Sequence, residues 1–167
     1  KQVSDPNLAI HKRFQKVIAS IKASQKNRDP QALAKLYPKG VGLFQTTCQT
    51  CHGADGNGIA SLAPPLNKSE WVTGDKDKLI SIVLFGLTGP VKVAGRTYQA
   101  PEIAGDMPAI AHTEEINDEQ IAQMLSYIRA SWQNNAGKIE TKEVSAVRAK
   151  FKGRENAFTV EELNKMK

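Results

Sequence analysis

Residues 48–52 read Cys-Gln-Thr-Cys-His, and no other feature restricts the chain as strongly. The C-x-x-C-H spacing is the attachment signal of a c-type haem. Each thiol can add to one vinyl group of the porphyrin and form a thioether, and one helical turn carries the next imidazole, His52, to the iron. Cys48 and Cys51 are the only cysteines among the 167 residues, so no thiol remains for another role. Three other uses of a cysteine pair fit poorly. A thioredoxin-like pair follows a strand in a parallel-sheet fold, whereas Leu43-Phe44-Gln45-Thr46-Thr47 reads as helix and no strand–helix alternation follows. A closed zinc site needs a second ligand pair, and the remaining histidines, His11 and His112, stand in distant segments. A disulfide across two intervening residues closes too small a loop to gain much entropy.

A rigid apolar group of this size also helps the chain fold. The apolar share, 40%, is modest for a packed core, and a haem would fill part of it. The net charge of +6 is unevenly spread. Residues 1–40 carry nine Lys/Arg against two Asp, a net +7; residues 41–137 carry a net −4 and residues 138–167 a net +3. Basic flanks around a mildly acidic centre suggest an acidic partner or a membrane surface near those flanks, or solvated helix faces. Nucleic acid is not expected, because the basic residues lack interleaved aromatics and no recognition module is present. The most apolar run, residues 79–87, is too short to span a bilayer. The chain begins with Lys and shows no leader. Because c-type haem is attached outside the cytoplasm in bacteria, a lost export signal and a periplasmic location, membrane-associated or free, are expected.

Along the chain, Asp5-Pro6 and Asp29-Pro30 are helix starts. Ile10, Phe14, Val17 and Ile21 form a stripe on the first helix, with Lys12, Arg13, Lys16 and Lys22 elsewhere. The stripe is expected to dock on the haem domain, a partner chain or membrane surface being the rival reading. A short helix follows over residues 31–37. Residues 39–50 read as the helix delivering the motif, 53–68 as loop, and Asp75 starts another helix. A small hairpin is expected to turn near Ala94-Gly95. Asn117 or Asp118 caps a long helix over residues 119–133, with Ile121, Met124, Leu125, Ile128 and Trp132 on one face. Helices are expected over 142–150 and 160–165. The resulting division is a basic helical extension over 1–37, a haem domain over 38–137 and a helical tail over 138–167 packing on it.

The second iron ligand decides whether the iron is open to small molecules or closed and suited to electron transfer. Met107, in Gly105-Asp106-Met107-Pro108, sits on a loop well downstream of His52, and the following proline stiffens the backbone there. Met124 reads as core, Met166 lies at the terminus, His112 is a substitute candidate and His11 a surface residue. The metal ligands are therefore expected to be His52 and Met107, a soft thioether that favours ferrous iron. His52 needs an acceptor for its other ring nitrogen, and the carbonyl of Pro64, in the stiff Ala63-Pro64-Pro65-Leu66 loop, is the candidate. Trp71, Arg96 and Tyr98 are secondary cofactor-binding candidates, each able to donate to a haem propionate, against packing for the aromatics and solvation for Arg96. No acid–base pair or nucleophile assembles elsewhere, so catalysis is not indicated. The rival functional reading is a five-coordinate haem acting as a sensor or peroxidase-like protein, which Met107 argues against.

These pieces together resemble a class I cytochrome c over roughly residues 38–133. Gly40 and Phe44 stand before Cys48 as in that family's first helix. Cys48, Cys51 and His52 match its attachment motif, Pro64 and Leu66 its following loop, and Met107-Pro108 its distal loop. Met124, Leu125 and Tyr127 are similar to the helix that crosses the first near Gly40. The resemblance implies an all-α fold of orthogonal helices around one covalent haem c, with an exposed haem edge as electron port. More narrowly, Pro64 to Trp71, Leu84 to Pro90, Tyr127-Ile128-Arg129 with Trp132 and Asn134, and the tail from Glu143 to Thr159 resemble cytochrome subunits and fused domains of periplasmic quinoprotein, sugar and alcohol dehydrogenases and of copper nitrite reductases. That resemblance implies redox proteins as partners: a dehydrogenase or reductase as donor or acceptor, or a terminal oxidase. The basic extension before Pro38 departs from the minimal pattern.

Overall fold

The computed structural model describes residues 10–18, 29–113 and 115–166. Among them, helix α1 covers residues 10–18, followed by α2 (Pro30–Leu36) and α3 (Pro38–Leu43). A π-helical turn (Phe44–Cys48) leads directly into α4 (Gln49–His52). The stretch read as one regular helix over 39–50 therefore contains a π-turn, a form that occurs mostly as single-turn bulges inside α-helices. Then come α5 (Glu70–Thr73), α6 (Lys76–Phe85), β1 (Leu87–Thr88), β2 (Val91–Val93), β3 (Arg96–Tyr98), α7 (Asp118–Ala130), α8 (Thr141–Lys150), β4 (Phe158–Thr159) and α9 (Val160–Lys165). The β2–β3 hairpin is antiparallel, with Val91 opposite Tyr98 and Val93 opposite Arg96. β1 pairs with β4 in parallel, Leu87 with Phe158 and Thr88 with Thr159. No periodicity in two-residue strands announces that pairing. The protein is mainly helical, with only these small strand pairs among the described residues.

Local chemistry sets the helix starts. The Asp75 carboxylate accepts from the Lys78 amide at 3.0 Å, and Asn117 and Gln120 form a reciprocal capping box at the head of α7, each satisfying amides that a helix start leaves open. The long helix ends at Ala130, earlier than the pattern suggests, because Ser131 is extended and Trp132 takes a left-handed backbone conformation. That bend turns Trp132 back onto Phe44 and Tyr127, with ring centroids 5.6 and 6.4 Å away.

α3 and α7 cross with their backbones nearly touching. A Cβ built on Gly40 would lie 2.4 Å from the Gln123 carbonyl carbon and 2.6 Å from the Met124 nitrogen. After its polar first turn, α6 is buried on every side from Leu79 to Phe85, as expected of a helix enclosed by the core. One of its sides faces the cleft described below, and α8 packs against another. Ser81 is completely buried on α6, and its hydroxyl has no hydrogen-bond partner among the described residues. A buried hydroxyl without a partner costs roughly 1–3 kcal/mol. Ser81→Ala should therefore raise stability by about 1 kcal/mol, seen as a Tm increase of roughly 2–4 °C.

The tail is fastened by polar contacts as well as by Val144 and Val147, both buried. Arg148 reaches Asp118 at 2.8 Å and the Ala111 carbonyl at 2.6 Å. Lys76 on α6 pairs with Glu143 on α8 at 2.8 Å. Burial pushes the Glu143 carboxyl up, but the Glu140 amide and Lys76 outweigh it and hold the group below its ordinary 4.5. A carboxylate held low stabilises the fold above its unfolded value and loses that contribution as pH falls through the lowered folded one. From about pH 4.5 downward, acid unfolding should therefore be less steep in Glu143→Gln than in the parent, as followed by circular dichroism.

Among the described residues, the apolar stripe of the first helix stays largely exposed rather than docked as expected. Ile10, Phe14 and Val17 are 66%, 62% and 51% exposed. The extension is instead anchored by Leu33 on α2, which is 2% exposed where α2 meets α3 and α7. The Asp5-Pro6 start, Ile21 and Lys22 lie outside the described residues.

Candidate metal centre

The π-turn and α4 bring Cys48, Cys51 and His52 to the wall of an apolar cleft of about 1070 Å³, counting space open to solvent. That size suits a bound organic cofactor. Leu79, Ile82 and Val83 from α6 and Leu125 and Ile128 from α7 form much of the wall. Val91 and Val93 of the hairpin, Trp71 of α5 and Met107 complete it. Among the described residues, no three His, Cys, Asp or Glu side chains gather as a bare metal ion would need.

His52 is 8% exposed. Its Nδ1–H donates to the Pro64 carbonyl at 2.8 Å, because a carbonyl can only accept. In the neutral ring that fixes Nε2 as the atom with a free lone pair. Burial lowers the imidazole's affinity for a proton, and the Pro64 contact opposes this only in part. The Pro64 contact thus orients the ring and burial favours its neutral form, as a metal-bound histidine requires. Burial likewise pushes the Cys48 thiol up to about 12, the Cys51 thiol adding to the rise. Cys48 Sγ lies 3.6 Å from the sulfur of Met124, which is fully buried core.

The loop that follows Pro64 is tied to the segment after α7. Asn134, 1% exposed, donates to the Leu66 and Ile128 carbonyls at 3.1 and 2.9 Å and accepts from the Lys68 amide at 2.8 Å. The Trp132 indole donates to the Ala54 carbonyl at 3.1 Å. Arg129, also buried, joins the carbonyls of Val72, Gly74 and Gly137. Burial makes its charged form less favourable, with Glu143 and Asp75 opposing that.

Met107 is half-buried and lines the same cleft as His52. Its amide donates to the Leu87 carbonyl at 2.8 Å, and its carbonyl accepts from the Leu87 amide at 3.1 Å. Thr88 donates to the neighbouring Asp106 carboxylate at 2.6 Å. No local pattern singles out Leu87, Thr88 or Asp106, since their partners lie far along the chain. The structure therefore brings Cys48, Cys51, His52, Pro64, Trp71 and Met107 together. The Trp71 indole N–H is already given to the Lys92 carbonyl at 2.9 Å. Arg96 and Tyr98 do not line the cleft. The Arg96 guanidinium pairs with Glu102 and lies 5.0 Å from the Tyr98 ring centroid. His112 is exposed on a turn beyond the loop.

The family model described as cytochrome c matches residues 37–132. The chain is similar to a cytochrome c-552 of Thermus thermophilus, 33% identical over 128 residues covering 71% of this chain and 80% of that protein. It is 29% identical over 158 residues to the gluconate 2-dehydrogenase cytochrome c subunit of Pantoea cypripedii, covering 89% of this chain and 34% of that protein. The cytochrome c subunit of the quinone alcohol dehydrogenase of Gluconobacter oxydans is 29% identical over 127 residues, 72% of this chain and 25% of that subunit. The chain thus spans about a third or less of the two dehydrogenase subunits.

Proposed function

The chain belongs to the cytochrome c family, and from that premise we propose that it passes single electrons between redox proteins outside the cytoplasm. In this reading Cys48 and Cys51 hold one haem c covalently, and His52 and Met107 are the two protein ligands of its iron. The observation that carries the proposal is the His52 ring, buried and oriented by the Pro64 carbonyl, sharing one apolar cleft with the Met107 thioether. When bound, the haem supplies a one-electron couple between ferric and ferrous iron.

The chain's own residues do the rest. The Pro64 carbonyl fixes the His52 tautomer and makes the ring a better donor. A thioether from Met107 is neutral and soft, which favours the reduced state and raises the potential relative to two imidazoles. The aliphatic walls from α6 and α7 exclude water and disfavour the extra positive charge of the oxidised site in the same direction. Two protein ligands leave no open coordination position, so a carrier is favoured over a sensor or peroxidase.

The dehydrogenase subunits among the relatives favour a periplasmic dehydrogenase as the electron donor, with this chain as its carrier, subunit or fused domain. On α1, exposed Ile10 and Phe14 share one side while exposed Lys12, Arg13 and Lys16 occupy others, a pattern suited to an anionic lipid surface. No helix among the described residues is long and apolar enough to cross a membrane.

The ferric absorption spectrum tests the ligand set. A low-spin spectrum with a methionine–iron charge-transfer band supports the carrier. A high-spin spectrum overturns it in favour of a five-coordinate sensor or peroxidase-like protein.

A further inference from the structure

Three segments far apart in sequence meet at the loop that carries Met107. The two-way bridge between Met107 and Leu87 makes the loop one edge of a small ladder, and Thr88 latches Asp106 beside it at 2.6 Å. On their other edge, Leu87 and Thr88 pair with Phe158 and Thr159 of the tail, and the Phe158 amide donates to the Gly86 carbonyl at 3.1 Å. Gly86 sits between the two edges at φ +86°, where a Cβ would fall 2.6 Å from the Met107 oxygen and 3.4 Å from the Ala157 Cβ. The tail strand is itself immobilised. Phe158 is 2% exposed and packs edge-on against Phe85 and Phe151. The Arg154 guanidinium lies 3.6 Å from the Phe158 ring centroid and is held by Glu162 at 2.9 Å. A second tail contact, Arg148 to the Ala111 carbonyl, fixes the chain just beyond the loop.

We propose that the C-terminal tail braces the Met107 loop through β1, and that Thr88, Asp106 and Phe158 are positioning residues that keep the Met107 sulfur on the iron against small competing ligands. The inference rests on Met107 being a ligand. A single loop bond to iron yields to an added ligand only during the fraction of time that the loop has departed. The apparent affinity for that ligand therefore rises in proportion to the open fraction. The ladder and the Thr88–Asp106 latch lower that fraction, and neither touches the iron. Both donors are neutral lone pairs, so the exchange of sulfur for an imidazole nitrogen breaks one coordinate bond and forms another with no net transfer of electrons or protons.

The test is titration of the ferric holoprotein with imidazole, following loss of the methionine charge-transfer band, alongside thermal unfolding. Thr88→Val removes the latch, and losing one such hydrogen bond should tighten apparent imidazole binding about three- to tenfold. Phe158→Leu should act in the same direction. Thr88→Ser, which restores the hydroxyl, should return to the parent value. Glu143→Gln, which breaks a tail contact to Lys76 away from both the ladder and Arg148, should leave imidazole binding unchanged. If Thr88→Val and Phe158→Leu lower Tm but leave imidazole affinity at the parent value, the brace is overturned and the contacts are merely structural. Equal tightening in Glu143→Gln would also overturn it, because the effect would then follow general loosening of the tail. A parent protein with no charge-transfer band would instead overturn the ligand assignment on which the brace rests.

Discussion

Met107→Ala is expected to abolish the methionine charge-transfer band of the ferric protein and to lower its reduction potential by on the order of 0.2 V, a fraction of the roughly 0.8 V over which axial ligands tune haem iron. The reason is chemical. Alanine offers no lone pair, so the oxidised site loses a soft neutral donor that disfavours it and gains either water or an external base. Met107 is half-buried at the edge of the cleft, so the fold should tolerate the change. Circular dichroism should remain close to the parent while the spectrum and potential move. His112, exposed on the turn just beyond the loop, is the nearest substitute in sequence. If it takes over, the variant stays low-spin without the band, and the double variant Met107→Ala/His112→Ala becomes high-spin. An unchanged band and potential in Met107→Ala would remove Met107 from the iron and leave the proposed carrier without its sixth ligand.

Gly40→Ala is expected to be the most damaging single change in the helical frame, at about 3 kcal/mol or more. The methyl group would meet the Gln123 carbonyl at 2.4–2.5 Å and the Met124 nitrogen at 2.6 Å, all backbone atoms of the facing helix, with no side chain able to rotate away. α3 must separate from α7, and the disturbance reaches the site by two routes. α3 runs straight into the π-turn that carries Cys48, and Met124 packs its sulfur 3.6 Å from Cys48. A fall in Tm of roughly 6–12 °C and a lower yield of coloured protein are expected. A variant as stable as the parent would show that the two helices do not need this close crossing.

What can be read from the chain and what cannot divide along the range of the interactions. Cys48, Cys51 and His52 lie within five consecutive residues, so their chemistry is local and their helical setting follows from Leu43 and Phe44 just before them. The capped starts at Asp75 and Asn117 are also local, since side chain and amide are three residues apart. The carbonyl of Pro64 is legible for a different reason: a pair of prolines makes a loop rigid enough to hold one acceptor still, and His52 does donate to it. The Leu87–Phe158 pairing and the Thr88–Asp106 latch leave no such trace, because two-residue strands have no period and a lone Thr or Asp is ordinary in a loop. Spacing alone draws Trp132 onto the last helix, yet contact with Phe44 and the Ala54 carbonyl outweighs helix propensity and bends the chain at Ser131. The stripe of Ile10, Phe14 and Val17 is a genuine amphipathic pattern, but periodicity reports that a face is apolar and not what covers it. Trp71 shows a similar gap: its donor is visible in the sequence, while its acceptor, the Lys92 carbonyl, is set by the fold.

In the proposed reading, one haem joined through Cys48 and Cys51 completes this chain. Intact mass spectrometry under denaturing conditions, on protein made in cells able to attach haem c, tests it most directly. Red protein is expected whose mass exceeds that of the 18.2 kDa polypeptide by one haem, with loss of that increment in Cys48→Ser/Cys51→Ser. Colourless protein with the mass of the bare chain would contradict it.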